Sequence, residues 1–292
     1  MNFIKLTLIM IVTCFAFSGC NMQHGKTEAC NLDIMTFNIR YGTANDGDNS
    51  WPNRKQQVID VIAKYHPAVL GVQEALHFQL EEIIKALPQY ALIGVGREDG
   101  KTKGEYAAIL YLKERFTVKD SGTFWLSETP EIPGSKSWNT DCTRICTWAD
   151  FVDRKTGRDF NVYNLHYDHV SQLARMEGTK LLINKKQLLT SQHPVIVMGD
   201  LNAGEDNPAI AKFKSFMNDT FRIVHPDAKD VGTVHSFKGT RTRGKIDYIF
   251  IRDIDPITVT EADIIYDNIE NRYPSDHFPV RAQLKFAYYS GN

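Results

Sequence analysis

The sequence predicts an α/β fold in which one β-sheet packs on another and helices cover the outer faces. Three observations lead there. Short strand-like apolar runs recur, amphipathic helical patterns are fewer, and most strand-like runs end in a polar residue. No repeat, low-complexity stretch or linker rich in Pro, Gly or Ser interrupts residues 32–286, so a single domain over 31–288 is the simplest organisation.

Taken in order, residues 32–37 form an apolar run into Asn38, and residues 68–72 a second run into Gln73-Glu74. Residues 107–112, 116–119 and 123–126 read as successive antiparallel strands. Residues 145–152 and 160–165 flank Asp153-Arg-Lys-Thr-Gly157, a hairpin signal. A β-branched run over 195–198 ends in Gly199-Asp200, and residues 246–251 and 279–284 complete the strands. Helical spacing places Val58, Ile59 and Ile62 on one face of residues 54–65, with further helices over 78–87, 174–189 and 208–217.

Hydrophobic content of 42% and charged content of 24% are those of an ordinary globular protein. The net charge of −1, from 34 basic and 35 acidic residues, lacks the basic excess of a dedicated duplex-DNA binder. A basic groove can still sit within a neutral total.

Residues 1–19 read as a secretory signal, with Lys5 ahead of an apolar run over 6–17 and then Ser18 and Gly19. The run is shorter than the ~20 apolar residues a membrane span requires. Its ending in Cys20 resembles the bacterial lipobox. Cys20 is therefore expected to carry lipid, residues 20–30 to form a tether, and the protein to be lipid-anchored in the bacterial cell envelope. The plainer reading is a signal peptide with an incidental cysteine.

Of the remaining cysteines, Cys142 and Cys146 lie in a stretch that reads as extended, where four residues span about 13 Å. That is beyond disulfide reach. Both are expected to be small buried apolar residues, with no zinc or redox site and no protein partner implied.

Six polar clusters sit at or near strand ends: Asn38; Glu74; His166 with Asp168; Asp200 with Asn202; Asp247; and Asp276 with His277. Oxygen donors without clustered cysteines or paired histidines suit a hard ion, Mg²⁺ or Mn²⁺. Histidines beside carboxylates supply acid–base capacity near neutral pH. Together these are parts for attack of water on phosphorus. Singly, each has a plainer reading. Asn38, Asp200 and Asn202 fit turns, Glu74 fits a helix cap, and a lone histidine is more often structural. Asp247 is the exception, because a charge inside an apolar strand needs a partner.

In their order, Thr-Phe-Asn38, Gln-Glu74, Asn-Leu-His166, Gly-Asp200-Leu-Asn202, Ile-Asp247-Tyr and Ser-Asp276-His277 resemble the endonuclease/exonuclease/phosphatase (DNase I-like) superfamily over residues 31–286, in an uncharacterised bacterial lipoprotein branch. The resemblance implies a four-layered α/β sandwich: two mostly antiparallel sheets flanked by helices. It implies a metal-dependent hydrolase of phosphate esters, as nuclease, phosphodiesterase or phosphatase, with Mg²⁺ or Mn²⁺ at Asn38, Glu74 and Asp276. Asp200 would activate the water, Asn202 would bind phosphate, and His277 would act on the phosphate, oriented by Asp247. His166 would contact the phosphate or assist the leaving group. Arg144 is a further candidate phosphate contact, and no role attaches to Asp168. Leu165 stands where the family often has Thr, and its side chain points away from that of His166 along a strand. Trp125 and Trp148 read as core. The reading from another class is a non-catalytic envelope binding protein on the same scaffold.

Overall fold

The computed structural model describes residues 31–286 except 186, 187, 189, 253, 254 and 256. The proposed signal, lipidated Cys20, tether and Cys30 lie outside the described residues. Among those described, no helix is long and apolar enough to cross a membrane.

The strands are β1 (Asn31–Asn38), β2 (Val69–Ala75), β3 (Tyr90–Ile93), β4 (Tyr106–Leu112), β5 (Phe116–Trp125), β6 (Ile145–Asp153), β7 (Arg158–His166), β8 (Val195–Asp200), β9 (Met217–Asp219), β10 (Asp247–Arg252), β11 (Ile257–Ile264) and β12 (Val280–Phe286). The helices are α1 (Trp51–Tyr65), α2 (His77–Ala86), α3 (Gln172–Asn184), α4 (Pro208–Lys214) and α5 (Thr220–Val224). Two six-stranded sheets result, in the orders β11-β12-β1-β2-β4-β3 and β5-β6-β7-β8-β10-β9.

Central strands are apolar on both faces because both faces are covered. Ile34, Met198, Ile249 and Phe151 meet between the sheets. Phe37, Leu70 and Ala108 face the other way, onto Val58 and Ile62 of α1 and Leu80 and Ile83 of α2. Leu165, Val197 and Phe250 pack outward on Leu182 of α3 and Phe213 of α4. The α/β/β/α order is the four-layered sandwich expected, with mixed sheets. β1 pairs in parallel with β2, and β7 with β8, whereas the other pairings are antiparallel.

Some elements differ from the sequence reading. Residues 116–119 and 123–125 belong to one strand, β5, with an irregularity between Val118 and Asp120, and Leu126 lies just beyond it. A bulge leaves the chain paired to one neighbour while interrupting its apolar alternation. β11 lies at a sheet edge with an exposed face of Thr and Glu, so it shows no continuous apolar run. β3, β9 and α5 are of five residues or fewer. α3 ends at Asn184 and α4 at Lys214, the latter earlier than periodicity indicated; residues 186, 187 and 189 of the helix expected over 174–189 lie outside the described residues.

Topology brings the polar strand ends together. The parallel pairs align Asn38 with Gln73 and His166 with Asp200. Asp247 starts β10 directly opposite Asp200, and β12 runs antiparallel to β1, so the segment just before Val280 returns beside Asn38. The sheets are also tied below the site by buried amides. Gln73 Nε2 donates to Asn164 Oδ1 (2.6 Å), while Asn164 Nδ2 reaches the carbonyls of Val72 (3.0 Å) and Ala108 (2.7 Å).

Candidate active site

The innermost group is Asp200, Asp247 and His277, whose candidate ligating atoms lie within 4.8 Å of one another. All three are buried. His277 Nδ1 is 2.9 Å from Asp247 Oδ2 and 3.9 Å from Asp200 Oδ2. Burial alone lowers the basicity of His277, but the charge and hydrogen bond of Asp247, with Asp200 and Asp276, raise it well above the ordinary histidine value. A carboxylate can only accept, so the ring's Nδ1–H donates to Asp247, and the surrounding acids favour the protonated ring. Its Nε2 side remains available in a cleft that His277 helps to line. Asp200 is pushed up to about 7, first by burial and then by the negative charge of Asp247. A carboxylate poised there accepts a proton near neutral pH.

Beside this group, Asn38 Nδ2 donates to Asp200 Oδ2 (2.9 Å) and lies 3.1 Å from Glu74 Oε1. Glu74 occupies the left-handed region (φ 60°) at a bulge between Gln73 and Ala75. That conformation re-aims its side chain, a strain the surrounding structure sustains. Asp276 enters from the turn before β12. Its carboxyl is raised by burial and by Glu74, so the two acids share one region of negative potential. Arg40 stands between them, Nη1 3.9 Å from Glu74 Oε2 and Nε 3.9 Å from Asp276 Oδ2, held by Asp46. Buried Arg54 fixes this corner, donating to the carbonyls of Ile39 (2.6 Å), Arg40 (2.8 Å) and Pro274 (3.0 Å). Glu74 and Asp276 both face the cleft and offer carboxylate oxygens of the kind a divalent cation takes, whereas Asn38 turns its amide N–H groups to Glu74 and Asp200 and its Oδ1 accepts from the Arg40 N–H (3.0 Å).

Asn202, His166, Arg144 and the Arg97–Glu105 pair make up another part of the cleft lining. Asn202, left-handed at φ 46°, is set by its backbone N–H donating to Asp200 Oδ1 (2.9 Å). Both its amide protons are committed, one to His166 Nε2 (2.9 Å) and one to the Tyr167 carbonyl (2.9 Å). A phosphoryl oxygen reaching Asn202 therefore competes with one of these bonds. His166 accepts at Nε2 and is neutral, held well below its ordinary value by burial and then by Arg144 and Arg97. Arg144 and Arg97 complete this part of a cleft of about 420 Å³. Arg97 is locked by a bidentate pair with Glu105 (2.7 and 2.8 Å).

The structure thus gathers Asn38, Glu74, Arg144, His166, Asp200, Asn202, Asp247, Asp276 and His277 at one end of the sandwich. Sequence reasoning passed over Arg40, Arg97 and Glu105. Arg40 carried a signal, following Asn38 by two residues. Arg97 and Glu105 come from a loop without periodicity.

Cys142 is corrected. It precedes β6 and is partly exposed at the cleft, whereas Cys146 is buried as expected. A strand's alternation does not govern residue 142, because the extended stretch starts only at Ile145. Trp125 is core, but Trp148 is only partly buried. Asp141, Cys142 and His169 also come together at the rim. Arg144 donates to His169 Nδ1 (2.9 Å), and the Cys142 thiol donates to Asp141 (3.3 Å). No metal role is assigned to that group.

The chain is similar to solved structures from Bacteroides thetaiotaomicron. An endonuclease/exonuclease/phosphatase family protein is 32% identical, with a TM-score of 0.82 over 89% of this chain and 100% of that one. A mannosyl-6-phosphatase is 33% identical, with a TM-score of 0.80 over 87% of this chain and 100% of that one. An uncharacterized protein of Acanthamoeba polyphaga mimivirus is 26% identical, covering 85% of this chain and 98% of that protein. The family profile described as "Endonuclease/Exonuclease/phosphatase family" matches residues 35–277, a span holding every cluster that lines the cleft. With sequence span, fold and site in agreement, the chain belongs to the endonuclease/exonuclease/phosphatase family, whose members hydrolyse phosphoester bonds.

Proposed function

We propose that the protein is a Mg²⁺-dependent phosphatase of small phosphate monoesters, sugar phosphates foremost, working at the bacterial envelope on a lipid anchor at Cys20. The observation that carries this is one cleft lined by acids (Glu74, Glu105 and Asp276), guanidinium groups (Arg40, Arg97 and Arg144), Asp200 and His277. A compact dianion matches that distribution, since guanidinium forks suit terminal phosphoryl oxygens. At about 420 Å³ the cleft has the size of small-molecule sites, and its predominantly polar lining suits a hydroxylated substrate better than a stacked base. Similarity to the mannosyl-6-phosphatase supports the same class.

Mg²⁺ held by Glu74 and Asp276, with Asn38 alongside, would neutralise charge on the phosphoryl oxygens. Asp200 takes the proton of the attacking water, its oxygens oriented by Asn38 and the Asn202 N–H. His277 presents Nε2–H to the developing charge, and Asp247 keeps the ring cationic and in place. Arg144 holds the phosphate, Arg97 adds positive charge while its fork stays paired with Glu105, and neutral His166 stands beside the leaving oxygen.

The test is turnover of the purified protein on a panel of sugar phosphates, nucleotides and diesters, with Mg²⁺ and with EDTA. Mg²⁺-dependent release of phosphate from monoesters, faster than from diesters, supports the reading. Diester cleavage without monoester turnover overturns it.

A further inference from the structure

Asp168 lies next to the cleft but does not line it, and its side chain is buried. Its carboxylate gathers hydrogen bonds from two separate segments. Oδ2 accepts from the Thr140 hydroxyl (2.7 Å) and the backbone N–H groups of Asp141 (3.0 Å) and Cys142 (3.4 Å). Oδ1 accepts from the N–H groups of Val170 (3.1 Å) and Ser171 (2.7 Å). Arg144 Nε is buried without a hydrogen bond and lies 3.6 Å from the same Oδ2. Burial raises the carboxyl, but Ser171, Thr140 and Arg144 outweigh it and hold the group at about 2.

The segment so gripped needs an anchor. Trp138 and Asn139 are consecutive left-handed non-glycine residues, at φ 58° and 57°. Such a pair persists only where its surroundings over-determine it. Immediately after it come the three donors to Oδ2, and Ser171 Oγ donates back to the Trp138 carbonyl (2.7 Å). Downstream, Arg144 Nη2 donates to His169 Nδ1, while Arg144 Nη1 makes no hydrogen bond among the described residues.

We propose that Asp168 is a positioning residue that pins residues 138–142 to the start of α3 and thereby sets Arg144 against the phosphoryl group. Asp168 acts through Arg144 and touches no substrate itself. The inference rests on the reading above that the cleft takes a phosphoryl group, and it gives a role to Asp168, which otherwise has none. An Asn at 168 keeps one acceptor oxygen and turns an NH₂ group towards the backbone N–H groups of one of the two segments, whichever way the amide flips. The pin then opens on that side and the charge facing Arg144 is lost.

The test uses the full chain, as wild type, Asp168→Asn, Arg144→Ala, the double variant and Thr140→Val. Steady-state KM for a sugar phosphate and the Kd of inorganic phosphate by calorimetry are both read. Asp168→Asn is expected to raise KM and Kd roughly ten- to a hundredfold, with kcat changed by less than about threefold. In the Arg144→Ala background Asp168→Asn adds less than about threefold, because coupled residues are not additive. Thr140→Val, which removes a single donor, weakens binding in the same direction by about threefold and carries the test if Asp168→Asn does not fold. Trypsin is expected to cut faster after exposed Lys136 in Asp168→Asn. Unchanged KM and phosphate affinity in Asp168→Asn, or full additivity with Arg144→Ala, overturns the proposal. If the wild type turns over no monoester yet phosphate binding still weakens in Asp168→Asn through Arg144, the pin stands and the phosphatase reading falls.

Discussion

His277 Nδ1 lies 2.9 Å from Asp247 Oδ2, across a separation of 30 residues, and this bond favours the protonated ring at the edge of the cleft. It also supplies the partner that a carboxylate in an apolar strand requires. Removing the ring leaves Asp247 buried and uncompensated, and removing the carboxylate frees the ring and lowers its basicity.

His277→Ala is therefore expected to lower kcat by about 10²–10⁴, the usual contribution of a positioned acid or base. Asp247→Asn should fall in the same direction. Both are read as kcat on a sugar phosphate, with circular dichroism to confirm the fold. Wild-type kcat in either variant removes that residue from the mechanism.

Asp200 must be deprotonated to accept a proton from water. Its carboxyl sits at about 7 before any cation binds, and a nearby cation pulls it lower. Activity is thus present above this pKa and lost as pH falls through it. The pH profile of kcat/KM should show an acid limb with its inflection no higher than about 7. Asp200→Asn should abolish turnover at every pH, and a wild-type profile flat through the acid range takes the role of base from Asp200.

Glu74→Ala should abolish Mg²⁺-dependent turnover without unfolding the protein, because Glu74 is partly exposed and sits in a strained bulge. A thermal-shift titration checks the cation independently of catalysis. In the wild type, Mg²⁺ at a hundred times its Kd stabilises by about 2.7 kcal/mol. The Glu74→Ala variant should lack that shift.

The anchor is tested by Cys20→Ala. Wild-type protein expressed in a bacterium should fractionate with membranes and incorporate labelled palmitate, and the variant should do neither. Soluble, unlabelled wild type leaves residues 1–19 as a plain signal or something else.

Gly199, one residue before Asp200, has φ 147°, and a Cβ built there would lie 1.9 Å from the Leu165 carbonyl oxygen. The close approach lets β8 pair with β7 and aligns Asp200 with His166. Gly199→Ala is expected to cost at least about 2 kcal/mol, through backbone strain and broken pairing. Denaturant midpoints measure it.

By itself the sequence determined the layers and named most of the polar residues that the structure brings together. Strands covered on both faces must be apolar throughout, as over β1, β8 and β10, and the polar residues that end those runs are conspicuous for the same reason. Asp247 could be singled out because a charge in apolar surroundings demands a partner, although not which one. The tertiary structure decided what depends on contacts between distant segments. Pairing of β10 with β8, and of β12 with β1, chose His277 for Asp247 and placed Glu74 beside Asp276. Loop residues carry no periodicity, so Arg97 and Glu105 came into view only with the cleft they line. Asp168 was visible as a polar residue, but its grip on residues 140–142 and 170–171 exists only once two loops meet at one carboxylate.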